Sequence, residues 1–519
     1  MPAVLESAGF SAIKETQDLS LLFSTSFSIS PNSRQGSGEQ CVNIPTSRLL
    51  EHESFPGRTM KDEESTGYVL LIVTLASFLP AFVSSAINVA LPAIGQEFSI
   101  DAVLLGWVVT SYLLAMAVFL VPVGRLADIH GRKRVFFLGM LLFTAFSLLC
   151  ALSWSGDMLV LSRFLLGLAA AMVFSTAVAI LTAVYPPGRR GWALGINVTA
   201  VYVALSLGPF LGGFLTHYLG WRSLFLVNVP IGLVVLALIL WKLEGEWTEA
   251  KGERFDMPGF IFYFSILLAL MYGYSILPSL AGGVVMLLGL GGLVLFYRLE
   301  SRSSAPIVDF RLFKENRVFA LSNLAALINY SATFAVGFLL SLYLQYIKGY
   351  DAQGAGLILV AQPFIQAVIS PSAGKLSDRV EPRYVASTGM ALTAMGLLLM
   401  TWLDSSTGLV FIIGSLVVIG VGLGLFSSPN TNAVMSSVDK RHYGVASGMV
   451  ATMRSLGMML SMAIVMLVFS LVVGRVQIEP ENHVLFITSI KIIFSLFVVL
   501  CIGGTLASLA RGTMLDDRS

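Results

Sequence analysis

Apolar stretches of near-constant length recur along this chain from Tyr68 onward, separated by short runs of charged, glycine and proline residues. Backbone N–H and C=O groups must be paired internally in hydrocarbon, so a stretch of about 20 apolar residues reads as a helix crossing about 30 Å of bilayer. Fourteen such helices are predicted, beginning near Tyr68, Ala102, Val135, Asp157, Trp192, Ser223, Met257, Leu280, Val318, Gly354, Tyr384, Gly408, Val445 and Phe486. The pattern therefore predicts an all-α membrane protein.

Composition sharpens that reading. Hydrophobic residues make up 56% and charged residues 12% of the chain, about half the charged fraction of an ordinary soluble domain. Glycine, at 48 residues, sits mainly inside the spans, where it lets helices approach closely. Cys41, Cys150 and Cys501 lie far apart without nearby histidine, so neither a disulfide framework nor a metal site is expected. The net charge is only +2, and its placement matters more. Arg125, Arg132, Lys133, Arg134, Arg189, Arg190, Lys242, Arg298, Arg302, Lys375, Arg379, Arg383, Lys440 and Arg441 fall in the even-numbered loops, against Arg222, Lys348 and Arg475 at the odd ones. Basic loops stay cytoplasmic, so both termini are expected there, in a plasma (inner) membrane. Residues 1–66 are polar, show no cleavable signal peptide, and are expected to be a disordered cytoplasmic extension; Met60 would make a natural shorter start.

Internal repeats organise the rest. Gly124-Arg125-Leu126-Ala127-Asp128 and the following Gly131-Arg132-Lys133 return about 250 positions later as Gly374-Lys375-Leu376-Ser377-Asp378-Arg379. Arg190-Gly191-Trp192-Ala193-Leu194-Gly195 pairs with Tyr443-Gly444-Val445-Ala446-Ser447-Gly448 at nearly the same offset. Two related six-helix halves follow, residues 67–242 and 318–510, joined by a linker over 243–317 that carries the two extra helices, with a tail over 511–519. A carboxylate at a helix-bundle mouth can accept from the open N–H groups of a helix starting opposite, worth about 0.3–2 kcal/mol. By the repeat, Asp128 is expected to face the helix starting near Val445, and Asp378 the one starting near Trp192.

The Asp128 segment resembles the G-x-L-A-D-x-x-G-R-K signature of the major facilitator superfamily. Asn88-Val89-Ala90-Leu91-Pro92, Gly208-Pro209-Phe210-Leu211-Gly212-Gly213 and Asn228-Val229-Pro230-Ile231-Gly232 are similar to its fourteen-helix drug/proton antiporter branch. The resemblance implies two pseudo-symmetric six-helix bundles plus two central helices, and proton-coupled efflux of hydrophobic or amphiphilic small molecules by alternating access. It implies no cofactor beyond a proton gradient, a monomer in the lipid bilayer, and no nucleic-acid partner. Gly208, Pro209, Gly212 and Gly213 then form the motif associated with export, although on physics alone they are also a flat helix face for packing. Ala204 stands where that motif usually has glycine.

Several positions carry candidate chemistry. Arg163 matches the arginine of a family R-x-x-Q-G pattern whose glutamine is replaced here by Leu166; it is a coupling candidate or the partner of Asp157. Arg454 is a second intramembrane cation. Val83 occupies the place of an aspartate usual in this branch, and no Asp or Glu lies inside any predicted span. Ser85, Asn88, Tyr112, Asn329, Tyr330, Gln362 and Asn430 are the candidate polar residues, either lining a cavity or bonding between helices. Such a cavity suits neutral or anionic amphiphiles better than cations, and a metabolite or organic-anion carrier not coupled through a first-helix carboxylate is the alternative reading. A membrane-embedded enzyme is disfavoured, because paired intramembrane acids, His-x-x-x-His and Gly-x-Ser-x-Gly are all missing.

Overall fold

The computed structural model describes residues 60–186, 190–248, 257–277, 279–300, 310–377, 379–438, 443–474, 476 and 478–512. Asp378, the expected extension as far as residue 59, and residues 249–256 and 513–519 lie outside the described residues. The described chain is helical, without strands. The first six helices are α1 (Met60–Phe98), α2 (Ala102–His130), α3 (Arg132–Ala151), α4 (Gly156–Val184), α5 (Arg190–Leu219) and α6 (Ser223–Lys242). Then come α7 (Met257–Ser275) and α8 (Leu280–Glu300). The last six are α9 (Arg317–Ile347), α10 (Ala352–Ser377), α11 (Pro382–Met400), α12 (Leu409–Ser436), α13 (Tyr443–Val472) and α14 (His483–Leu509). Thirteen of these are long and apolar enough to cross a membrane, and α7 carries a shorter apolar run, Met257–Gly273.

Polar residues between spans terminate helices by satisfying backbone donors. Asp101 accepts from Leu104 N at 2.7 Å, Ser155 from Met158 N at 3.2 Å, Asn316 from Phe319 N at 2.8 Å and Asp351 from Gly354 N at 2.7 Å. Each occupies one of the N–H groups that a first helical turn leaves open.

Packing repeats as the sequence does. In the first half α1 packs on α5, α2 on α4, and α3 on α4 and α6; in the second, α9 packs on α13, α10 on α12, and α11 on α12 and α14. Helices α7 and α8 pair through glycines: a Cβ on Gly289 would meet Leu270 at 2.8 Å, and one on Gly292 would meet Ile266 at 2.8 Å. The pair leans on the seam between halves, where Tyr263, Leu267 and Met271 of α7 share an apolar cluster with Leu114 and Val118 of α2 and Met459 and Ala463 of α13.

Counting α7 as a crossing with the other thirteen, the described chain ends share one side, here called the terminal side; the other is distal. Arg511, expected to begin the tail, is instead buried in the second half. Its Nη1 donates to Ser322 Oγ at 3.1 Å and Asn430 Oδ1 at 2.9 Å, and its Nη2 to Pro382 O at 2.8 Å. The end of α14 places it among oxygens of α9, α11 and α12, which compensate its charge. Burial pushes this guanidinium down to about 10, with Glu381 opposing and Arg383 adding to the fall, so it remains cationic at neutral pH.

Candidate functional site: a cavity between the two halves

Five helices contribute stripes at helical spacing to a cavity of about 140 Å³ between the halves. Ser84, Ser85 and Asn88 come from α1, Tyr202, Leu205 and Pro209 from α5, Tyr330, Thr333 and Gly337 from α9, Gln362 and Gln366 from α10, and Arg454 and Met458 from α13. Residues three, four and seven apart share a helix face, which is why each helix presents a stripe rather than one residue. No carboxylate lines the cavity among the described residues.

Its polar groups are organised around one cation. The Arg454 guanidinium lies over the Tyr330 ring, 5.2 Å from its centroid, an arrangement in which the ring face attracts the charge. Tyr202 of the first half and Tyr330 of the second line the same cavity together with Arg454. Gln366 Nε2 donates to Ser427 Oγ at 3.4 Å, and Ser85 Oγ to Leu205 O at 2.8 Å. Asn88 Oδ1 is buried and finds no donor among the described residues. Aromatic faces, amides and a cation together can hold a planar, polar-edged molecule.

The distal end of the cavity is closed. Gln345, in a π-helical last turn of α9, donates to Val89 O at 3.0 Å across the halves. Ala102 N donates to Val476 O at 3.3 Å, and His217 Nδ1 lies 3.2 Å from Asp351 Oδ2. The glycines of α5 make this closeness possible. A Cβ on Gly208 would meet Ser85 at 2.6 Å and one on Gly212 would meet Ala86 at 2.8 Å, while Gly213 lies against Ala352 O and Gly356 against Pro209 O of the opposite half. Gly208, Pro209, Gly212 and Gly213 thus bind α5 to α1 on one face and to α10 on another.

At the terminal side, Asp128 Oδ1 accepts from Arg132 Nε at 2.8 Å, and Arg132 Nη1 donates to Ala179 O of α4 at 3.3 Å. Both partners lie in the first half. Gly124 packs near Ser175; the exposed Arg125 lies in the last turns of α2, not in a loop as expected, and the exposed Arg379 lies between α10 and α11. Gly374 closes on Ser428, 2.7 Å from where its Cβ would be. The expected contact of Asp128 with the start of α13 falls where side chains of residues 443–445 lie outside the described residues, as does that of Asp378. Gly131 takes φ +112, a value that glycine tolerates and side chains do not.

Of the candidate residues, Ser85, Asn88, Tyr330, Gln362 and Arg454 line this cavity, and Arg163, Tyr112, Asn329 and Asn430 do not reach it. Arg163 is enclosed in the first half, its Nε donating to Val108 O at 3.0 Å and its guanidinium 4.6 Å from the Tyr112 ring centroid. The expected pairing with Asp157 is not among its described contacts. Tyr112 donates to Pro80 O at 3.1 Å, Asn430 serves Ser322 and Arg511, and Asn329 is fully buried. Sequence reasoning missed Tyr202, although it stands seven residues before Pro209 on the same face. It also missed Glu246, which follows α6 and accepts from Lys133 N at 2.8 Å while Trp247 O accepts from Arg132 N at 3.0 Å.

Residues 73–462 match the Major Facilitator Superfamily. The chain is 31% identical over 402 residues to the riboflavin transporter RibZ of Clostridioides difficile, covering 76% of this chain and 86% of that protein. It is 33% identical over 406 residues to the multidrug resistance protein Stp of Mycobacterium tuberculosis (77% and 75%), and 36% identical over 428 residues to the cephamycin export protein CmcT of Amycolatopsis lactamdurans (79% and 86%). Among solved structures, a bacterial homologue of the human lysosomal transporter Spinster, inward-facing and unoccupied, superposes with a TM-score of 0.63 at 16% identity, covering 88% of this chain and 98% of that one.

Proposed function

The chain belongs to the major facilitator superfamily, a family of transporters rather than enzymes, and we propose that it exports neutral or anionic aromatic amphiphiles by alternating access. Its termini are cytoplasmic in this reading, as the basic loops require. The structure then has its external mouth closed, the state that loads substrate from the cytoplasm, and the protein works as a monomer in the plasma membrane. Export is supported by the names of the multidrug and cephamycin relatives.

One observation carries the charge preference: Arg454 stands on the wall of a cavity that presents no carboxylate among the described residues. A guanidinium near mid-membrane costs several kcal/mol unless compensated. An anionic group entering the cavity supplies that compensation, and a permanent cation aggravates the cost. The rings of Tyr202 and Tyr330 add stacking surfaces. A proton gradient is the proposed energy source. An anion leaving a cytoplasm at negative potential gains in addition about 2.3 kcal/mol per charge per 100 mV, so net export of an anion does not need a coupling carboxylate.

The match to a riboflavin transporter favours a second reading, a carrier of a planar polar metabolite using the same tyrosines. Transport by purified Arg454→Ala in proteoliposomes tests the charge preference. A charge-assisted hydrogen bond is worth about 1.5–3 kcal/mol, so transport of an anionic dye should fall about ten-fold or more while a neutral one changes little. Equal losses for both would contradict the role of Arg454.

A further inference from the structure

A second concavity lies away from the central cavity, on the lipid-facing side of the first half. It has a volume of about 440 Å³ and runs between α2, α3, α4 and the extra helix α7. Its wall is almost wholly apolar, with Phe119, Leu138, Leu168, Met172 and Phe260 along it, and its terminal-side rim carries His130 and Arg134. Both rim residues are exposed.

Phe119 precedes His130 by eleven residues on α2, so the groove runs about 16 Å inward at 1.5 Å per residue. That is about half of a 30 Å hydrocarbon core, the depth of one leaflet. The rim is basic: the segment from Arg125 to Arg134 holds four arginine or lysine residues and one acid, Asp128, which is engaged by Arg132. Glu246 approaches Arg134 at 3.6 Å but also accepts from Lys133 N, and Arg134 remains 80% exposed. An apolar trench one leaflet deep, opening at a basic rim, matches an acyl chain below an anionic headgroup.

We propose that this groove is a binding site for an anionic phospholipid of the terminal-side leaflet, its chain along Leu138 and Leu168 and its phosphate at Arg134 and His130. The lipid bridges α2–α3 of the first half and α7, a contact that six plus six helices alone would not provide. This site is independent of the transport reading.

The full-length protein in nanodiscs of phosphatidylcholine doped with phosphatidylglycerol, released into detergent and weighed by native mass spectrometry, tests it. Wild type should retain phosphatidylglycerol in preference to phosphatidylcholine. Arg134→Gln should lower that retention about five-fold, the effect of removing one basic side chain near an anionic lipid surface. Leu168→Trp, which fills the trench, should lower it as well; Leu138→Trp at the exposed wall gives the same readout if the deeper variant folds poorly. Equal retention of the two lipids by wild type, or unchanged phosphatidylglycerol retention in Arg134→Gln, would overturn the site.

Discussion

The two mouths of the central cavity are built from different materials. At the distal mouth the halves meet largely on backbone atoms, with Gly356 against Pro209 O, Gly213 against Ala352 O, Ala102 N on Val476 O and the Gln345 side chain on Val89 O. At the terminal mouth the contacts of Asp128, Arg132 and Arg511 given above each lie within one half. In the first half the segment after α6 straps the α2–α3 loop through Glu246 and Trp247; in the second, Arg511 after α14 ties together Ser322, Asn430 and Pro382. Each half is therefore braced at its terminal end by its own residues, while at the distal end the two halves are joined directly. That division is what rocking of two rigid halves about a central site requires.

The strongest way to break this asymmetry is to insert a side chain into the distal seal. Gly356→Leu places a branched side chain against Pro209 O, and overpacking of this kind costs about 1–3 kcal/mol or more. Transport in proteoliposomes should fall at least ten-fold while the purified protein stays folded, and thiol labelling of a cysteine at Ala352 should rise. Unchanged labelling would show that α5 and α10 do not form the seal.

Removing the brace of the second half should act on stability. Arg511→Met leaves buried oxygens of Asn430, Ser322 and Pro382 without their donor, at about 1–3 kcal/mol for each uncompensated group. The melting temperature in detergent should drop by several degrees, with transport per folded molecule little changed. A variant as stable as wild type would remove Arg511 from this role.

Asp128→Asn has a smaller expected effect. The amide oxygen can still accept from Arg132, so insertion and expression should remain near normal. The gating role expected from the repeat assigns this charge about 0.3–2 kcal/mol at an opposing helix start, and on that role substrate accumulation assays should show impaired turnover. Wild-type turnover in this variant would reject the gating role. The smallest effect belongs to Asp351→Asn: its pair with His217 is largely exposed, such pairs contribute about 0–1 kcal/mol, and transport should change by less than about three-fold.

Much of this contrast was legible in the sequence, and the illegible part has a common cause. Apolar length marked the helices, and the recurrence of Gly-x-Leu-x-Asp marked the two halves, because bilayer thickness and pseudo-symmetry act directly on residue spacing. Rotation about a helix axis is set by neighbouring helices, which spacing does not report. Arg163 and Arg454 therefore looked alike as intramembrane cations, yet one is stacked inside the first half and the other lines the cavity. Tyr202 was recoverable from its phase with Pro209. Glu246 was not, since an acid in a charged linker looks like solvated chain until the fold brings it to the start of α3.

The central claim is that a cavity built around Arg454 without a carboxylate favours anions over cations. Its most direct test is wild-type protein in proteoliposomes under an imposed pH gradient, comparing an anionic dye with permanently cationic ethidium at matched concentration. The account predicts gradient-dependent transport of the anion and weak transport of ethidium. Robust, gradient-driven export of ethidium by the unmodified protein would contradict it.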